Sequence, residues 1–296
     1  MEEPGEVLVI DIGGTKINVS LVTSLDLKIK ILGSEIFSTH SKPDMAIQKI
    51  KSVYLGFNEV VDCVLLSLSG KWSNKGILEE GINLQNWSGY PFIENLKKEL
   101  NIKNYASETD VICGGLGEYH CGVNVGTLHT TSLLYINLGT GIGASFIKDG
   151  KPFKSLRMHK LCFSSDDELY SGVDLISGKG LLIASAYESV EKLFEDYKKG
   201  NINAVDIISK AQAQLATWLI NLFYLFMPDV IVLNGGLTYD WDVLASEAID
   251  MAKEELKDQV KILPSKLKDL APDYGAYLNS KGTVAKHPTN YKVARS

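Results

Sequence analysis

Residues 133–150, LLYINLGTGIGASFIKDG, repeat the arrangement of residues 7–22, VLVIDIGGTKINVSLV: an apolar strand, a Gly-rich turn, then a second strand. Two occurrences of one such pattern predict two copies of a single structural unit. Outward from the first copy, a third strand around Ile29 to Phe37 completes an antiparallel meander. Residues 44–57 (DMAIQKIKSVYLGF) space their apolar positions by three and four, as a helix packed on that sheet would, and residues 61–69 (VDCVLLSLS) are apolar enough for a buried central strand. Lys71 to Gly89 is rich in Gly, Asn and Ser, long for a connection and suited to a loop that binds something, and Pro91 to Leu100 reads as a helix. Beyond the second copy come a long amphipathic helix over about Val205 to Phe226, an apolar strand in DVIVLNGG (229–236), a helix over about Trp241 to Lys257 and a short strand in VKILP (260–264). Two sheets flanked by helices, each opened by a Gly-turn hairpin, predict an α/β protein of duplicated sheet-and-helix lobes.

A chain of 296 residues is long enough for two separate cores, and 45% hydrophobic with 22% charged residues is an ordinary globular composition. The net charge of −6 and the scattered lysines argue against a nucleic-acid partner. The start, MEEPGEVLVIDIGGTK, is acidic and runs straight into a strand pattern, and no stretch approaches the ~18 apolar residues that span a bilayer, so a cytoplasmic protein without a membrane partner is expected. Cys63, Cys113, Cys121 and Cys162 form no CxxC pair, which fits reduced thiols serving as small buried hydrophobes.

The chemistry sits in the turns. In DIGGTK (11–16), Asp11 ends a strand, Gly13 and Gly14 allow positive φ so that successive amides can face an anion, and Thr15 and Lys16 add a hydroxyl and a positive charge. Alone, such a hairpin is most simply a turn; the second copy changes the reading. LGTGIG (138–143) offers Gly139, Gly141 and Gly143 around the hydroxyl of Thr140. Two such hairpins would hold a triphosphate from both sides, with Asp11 carrying a hydrated Mg²⁺. In VLNGGL (232–237), Gly235 and Gly236 follow an apolar strand, where bare backbone could lie flat against an adenine or ribose, or simply turn the chain from strand to helix.

The order of these three motifs resembles the ROK family of repressors and sugar kinases, with DIGGTK similar to its first phosphate motif, LGTGIG to its second and PDVIVLNGGL to its adenosine segment. The resemblance implies the two-lobed actin-like ATPase (ribonuclease H-like) fold, with a small N-terminal lobe over residues 1–112, a large lobe over 113–296 and a C-terminal segment packing back on the small lobe. Between the phosphate motifs the family has an Asn-Asp pair opening a helix that ends in Gly-Glu. SETDVICGGLGEYHCG (107–122) matches this, with Thr109 in place of Asn, Asp110 as the family's catalytic base and Gly117-Glu118 closing the pattern. One carboxylate to accept the attacking hydroxyl's proton is what phosphoryl transfer needs beyond positioning; a helix N-cap is the plainer role for Asp110, and the two can coexist. NLQNWSG (83–89) and SLSGKW place Asn83 and Gly70 near the family's sugar site, although a loop Trp is usually packing and a Gly usually a turn.

The resemblance fails in one segment. Where the family has Gly-Glu-x-Gly-His and then a zinc-holding cysteine cluster, this chain reads SLRMHKLCFSSDDELYSG (155–172). His159 falls on the family His, Leu156 on the family's first Glu and Glu168 either on its second sugar-binding Glu or in a solvated run of charges (DDE), while Cys162 alone survives of the cysteines, so no structural zinc is expected. In its place, packing of Leu156, Met158, Leu161 and Phe163 is expected to brace the segment. The implied activity is ATP- and Mg²⁺-dependent phosphorylation of a hexose or N-acylhexosamine, at the 6-OH, by a homodimer. The weighed alternative is a non-catalytic nucleotide- or sugar-binding relative; a repressor is disfavoured because six residues precede the first strand.

Overall fold

An antiparallel meander opens the chain in the computed structural model, which describes residues 6–25, 28–81, 83–123, 130–153, 156–165 and 168–286. It consists of β1 (Val7–Ile12), β2 (Lys16–Leu25) and β3 (Lys28–Ser38). Helix α1 (Pro43–Gly56), with proline at its start, leads to β4 (Cys63–Leu68), parallel to β1. A small hairpin of β5 (Lys71–Trp72) and β6 (Leu78–Glu80) follows, then α2 (Phe92–Leu100) and β7 (Asn104–Thr109), parallel to β4. The sheet order is β3-β2-β1-β4-β7, and α3 (Asp110–Gly117) begins directly where β7 ends.

Alternation along the strands divides this unit's core. Leu8, Ile10 and Ile12 of β1 and Val64, Leu66 and Leu68 of β4 pack with Ile47, Ile50, Phe92 and Leu96 of α1 and α2. Val9, Cys63 and Leu65 pack on the other face with Cys113 of α3 and with Ala276 and Tyr277 of the C-terminal helix, Ala271–Lys286. Both faces are covered, which is why the central strands read as unbroken apolar runs. The C-terminal helix lies against α3 at backbone distance: a Cβ on Gly275 would fall 1.6 Å from the Cys113 carbonyl oxygen. Only glycine permits that approach.

The chain divides into two compact units, the first running up to Gly117 and resuming at Leu270, the second being Glu118–Asp269. The second unit repeats the first sheet's plan. Strands β8 (Ser132–Leu138), β9 (Ile142–Lys148) and β10 (Lys151–Pro152) form its meander, and a short hairpin of β11 (Cys162–Ser165) and β12 (Glu168–Ser171) follows. Helices α4 (Gly172–Ile176), α5 (Gly178–Ser185), α6 (Val190–Lys198) and α7 (Ile202–Phe226) then lead to β13 (Val230–Asn234), and α8 (Trp241–Leu256) leads to β14 (Lys261–Pro264). The order β10-β9-β8-β13-β14, with β8, β13 and β14 parallel, matches that of the first unit strand for strand. The Asn201 side chain caps α7 by accepting from the amides of Asn203 and Ala204, and Trp218, Leu219 and Leu222 of that helix join Ile231 and Leu233 in the core.

All four cysteines are free thiols. Cys63 and Cys113 are buried as expected, but Cys121 is half-buried and Cys162, at the start of a two-stranded hairpin with little to cover it, is exposed. No described helix is long and apolar enough to cross a membrane.

Candidate active site

The parallel strands of the first unit bring Asp11, Ser67 and Glu108 side by side, and Ile12, Leu68 and Thr109 one step further on. Apolar side chains give way to polar ones here, at the carboxyl ends of the strands, where ligands of α/β sheets bind. Asp11 is half-buried, and its Oδ1 accepts a 2.5 Å hydrogen bond from Ser67 Oγ. Thr109 is half-buried, with its amide donating to Glu108 Oε1 at 3.0 Å.

Asp110 is the first residue of α3. Part of the residue stays open while its carboxyl group lies deep, and burial is the main reason its pKa rises from 3.8 to about 6. The Val111 amide, which donates to Oδ1 at 2.9 Å, pulls the other way. Asp110 thus holds one amide of the first turn of α3 and is also a carboxylate poised near neutrality, ionised at pH 7 but ready to take a proton. One turn on, burial first and then Glu108, Asp11 and Asp110 push the Cys113 thiol up, so it stays protonated.

The first Gly hairpin differs from expectation in its backbone. Neither Gly13 nor Gly14 takes positive φ. Glycine is needed at 13 because a Cβ would lie 2.8 Å from the Lys16 carbonyl oxygen, to which the Gly13 amide donates at 3.0 Å. Thr15 and Lys16 are exposed. Thr39, which sequence reasoning missed, ties the turn down: its amide donates to Thr15 O at 2.9 Å and its hydroxyl to Gly13 O at 2.8 Å.

On the same unit, Gly70 (φ 90°) and Asn83 (φ 60°) are exposed on the loops around the β5–β6 hairpin. The loop's tryptophans are packing residues. Trp87 is buried, stacks on Phe92 with centroids 4.6 Å apart and donates to His40 O at 3.0 Å. Trp72 packs edge-on to Phe92 and donates to Ser69 O at 2.9 Å.

In the second unit, the Gly139 amide closes the β8–β9 turn on Gly141 O at 2.9 Å, and Gly143 is a residue of β9 opposite Asn137. The turn is held from outside by a contact that no local pattern announces. Gly178 and Lys179, opening α5, donate to Gly139 O at 2.8 Å and Thr140 O at 3.0 Å, and Ser177 caps that helix on the Gly180 amide. Gly235, at φ 98°, would place a Cβ 2.3 Å from Leu138 O, so the VLNGGL turn lies against the end of β8 and beside this hairpin. Gly236 is exposed with nothing within 4 Å of its Cβ position, and Asn234 donates to the Tyr135 hydroxyl at 2.6 Å beneath it.

His159 lies half-buried on the turn Met158–Lys160, and burial, then the charges of Lys160 and Arg157, lower its pKa, so the ring is neutral at pH 7. Met158 is buried in the core, and Leu156 and Leu161 pack against it. Glu168 lies on β12 opposite Ser165, but its side chain and that of Phe163 fall outside the described residues. Among the described residues no group of three His, Cys, Asp or Glu could hold a metal. Glu118, fully buried, is structural: Oε1 accepts from Ser265 Oγ at 2.5 Å and the Leu267 amide at 2.8 Å, anchoring the chain after β14.

The ROK family model matches residues 7–158 and 175–281 and skips 159–174, the stretch where the sequence lacks the family's cysteine cluster. An uncharacterized protein of Clostridium perfringens is 27% identical over 92% of this chain and 97% of its own length. A beta-glucoside kinase of Listeria monocytogenes is 24% identical over 86% of this chain and 90% of its own. Among solved structures, a ROK family glucokinase from Streptomyces griseus in complex with glucose and AMPPNP superposes with a TM-score of 0.73 at 18% identity, over 92% of this chain and 98% of that one.

Proposed function

We propose, from the premise that this chain belongs to the ROK family, that it transfers the γ-phosphoryl group of ATP to the 6-OH of a hexose or N-acylhexosamine. The observation that carries this reading is Asp110: a deep carboxylate at the start of α3, with a pKa near 6, at the strand ends that also present Asp11. The sugar hydroxyl gives its proton to Asp110 as it attacks phosphorus, a general base matched to neutral pH. Within the first unit the backbone of the Gly13–Lys16 turn, and within the second that of the Gly139–Gly141 turn, is suited to phosphate, and Gly235 and Gly236 of the second unit offer flat backbone to an adenosine.

Mg²⁺ fits this donor set in one way. A single fixed carboxylate, without a cluster of three ligands among the described residues, suits an ion that keeps most of its water, held through water on Asp11. When bound there, Mg²⁺ neutralises phosphate charge. Ser67 keeps the Asp11 carboxylate aimed, and Thr39 keeps the phosphate turn shaped. The candidate sugar contacts are Gly70, Asn83 and Thr109 on the first unit and, on the second, a neutral His159 and Glu168. Thr109 is shorter than the family's Asn and Leu156 cannot hydrogen-bond, so recognition shifts to the remaining groups. A hydroxyl left unpaired would cost about 1–3 kcal/mol.

The test is ATP turnover by purified protein over a panel of fructose, glucose, mannose, N-acetylmannosamine, N-acetylglucosamine and a β-glucoside, with the product's phosphate position read by NMR. ADP formation that depends on one of these sugars supports the reading; nucleotide and sugar binding without turnover would support a sensor instead.

A further inference from the structure

We infer that Tyr239 stacks on the nucleobase of the phosphoryl donor and that Asp269 holds its ring in place to do so; the inference rests on the kinase reading above. Tyr239 comes two residues after the VLNGGL turn and is 55% exposed. An exposed tyrosine alone means little. This one is held at both ends. Its amide donates to Gly236 O at 3.2 Å, and its hydroxyl donates to Asp269 Oδ1 at 2.6 Å, 30 positions further along the chain. The turn it leaves is fixed as well, because Thr238 donates to Gly235 O through its amide at 2.9 Å and its hydroxyl at 2.8 Å.

Asp269 is a firm post for that hydroxyl. After β14 the Ser265 amide donates to Leu233 O at 2.8 Å, the Lys268 amide to Ser265 Oγ at 2.7 Å, and Lys268 O accepts from Asn234 Nδ2 at 3.3 Å. The chain is thus tied to the end of β13 just before it reaches Asp269. All of these residues belong to the second unit, so Tyr239 bridges the exits of two neighbouring parallel strands, β13 and β14, within one rigid body of packing. Burial first, and then the hydrogen bond to Asp269 and its charge, hold the phenol pKa well above its usual value, which keeps the hydroxyl a donor to that carboxylate. A side chain tethered at its tip has lost its rotamer freedom before any ligand arrives, so a planar ligand that stacks on it does not have to order it. Gly236, three positions earlier, is exposed with nothing within 4 Å of its Cβ position. A fixed aromatic ring beside bare backbone is a flat, apolar surface, and Gly235 seats the same turn against the end of β8, next to the Gly139–Gly141 turn. The ligand that such an edge recognises has a planar base at one end and phosphate at the other.

Tyr239→Ala and Tyr239→Phe are compared with wild type by titration calorimetry with MgADP, alongside ¹⁹F NMR of wild-type protein labelled with 3-fluorotyrosine. The Tyr239 signal is assigned by its loss from Tyr239→Phe. Removing the stacking surface is expected to raise the Kd for ADP roughly ten-fold in Tyr239→Ala. Tyr239→Phe keeps the ring but not the tether, and should raise the Kd only about two- to three-fold. ADP should move the Tyr239 resonance upfield, through the ring current of the base, whereas inorganic tripolyphosphate, which has no base, should leave it where it is. A folded Tyr239→Ala protein that binds ADP as tightly as wild type, or a Tyr239 signal that bound ADP leaves unmoved or that tripolyphosphate moves equally, would overturn the inference alone; a wild-type protein that binds no nucleotide would overturn the kinase reading beneath it.

Discussion

Replacing Asp110 by Asn should abolish most activity and stabilise the protein, and both effects come from one group. At neutral pH the ionised carboxylate sits where burial has raised its pKa from 3.8 to about 6. A folded-state pKa above the unfolded one means that the fold prefers the protonated carboxyl: its favourable contribution is complete below pH 4 and lost as pH rises through 6. Two units at about 1.4 kcal/mol each give a penalty of about 3 kcal/mol at pH 7, an upper figure because part of the residue faces solvent. Asn keeps the shape and can still accept the Val111 amide, but carries no charge. The variant should melt several degrees above wild type at pH 7.5, and that difference should shrink toward zero at pH 4. Its kcat should fall at least about 10²-fold, the scale of general-base loss, while ATP affinity is kept. Scanning calorimetry at the two pH values and a coupled ADP assay measure both. Near-wild-type turnover would remove Asp110 from the mechanism, and equal destabilisation at both pH values would refute the burial argument.

Wild-type kcat should show an acid limb with an apparent pKa near 6, the rate falling about ten-fold per pH unit below it. Ser67→Ala should raise the Mg²⁺ concentration needed for half-maximal rate several-fold with the melting temperature little changed, since it frees the Asp11 carboxylate to turn; an unchanged Mg²⁺ titration would contradict this. Gly275→Ala should lower the melting temperature by roughly 10 °C, because its Cβ would meet the Cys113 carbonyl oxygen at 1.6 Å; helix propensity alone argues for a gain, so the sign of the shift decides between the two effects. Zinc-selective chelation should leave both melting temperature and turnover unchanged, because Met158, Leu156 and Leu161 hold the 156–161 stretch to the core by packing; stoichiometric zinc on Cys162 and His159 by metal analysis would overturn that.

What could be read in the sequence, and what could not, follows from the range of the interactions. The paired meanders were legible because β1, β4, β8 and β13 are covered on both faces, and such strands need continuous Val, Ile and Leu. The turns were legible because their glycines are demanded within a few residues, although at Gly13 the demand comes from the Lys16 carbonyl rather than from φ. The C-terminal helix gave no comparable signal. Its Pro272, Gly275 and Gly282 read as helix breakers, yet Gly275 is there to let α3 approach, and Cys113 is 162 positions away. The same holds for the site. Asp11 and Asp110 stood out as carboxylates next to strand ends, but the group that aims Asp11, Ser67, is an ordinary serine in an apolar strand. Likewise the donors that hold the Gly139–Gly141 turn, Gly178 and Lys179, sit 39 positions beyond the carbonyls they serve. Chemistry in this fold is written locally, in motifs; its orientation is set by register between strands, and register appears only once the sheet has formed.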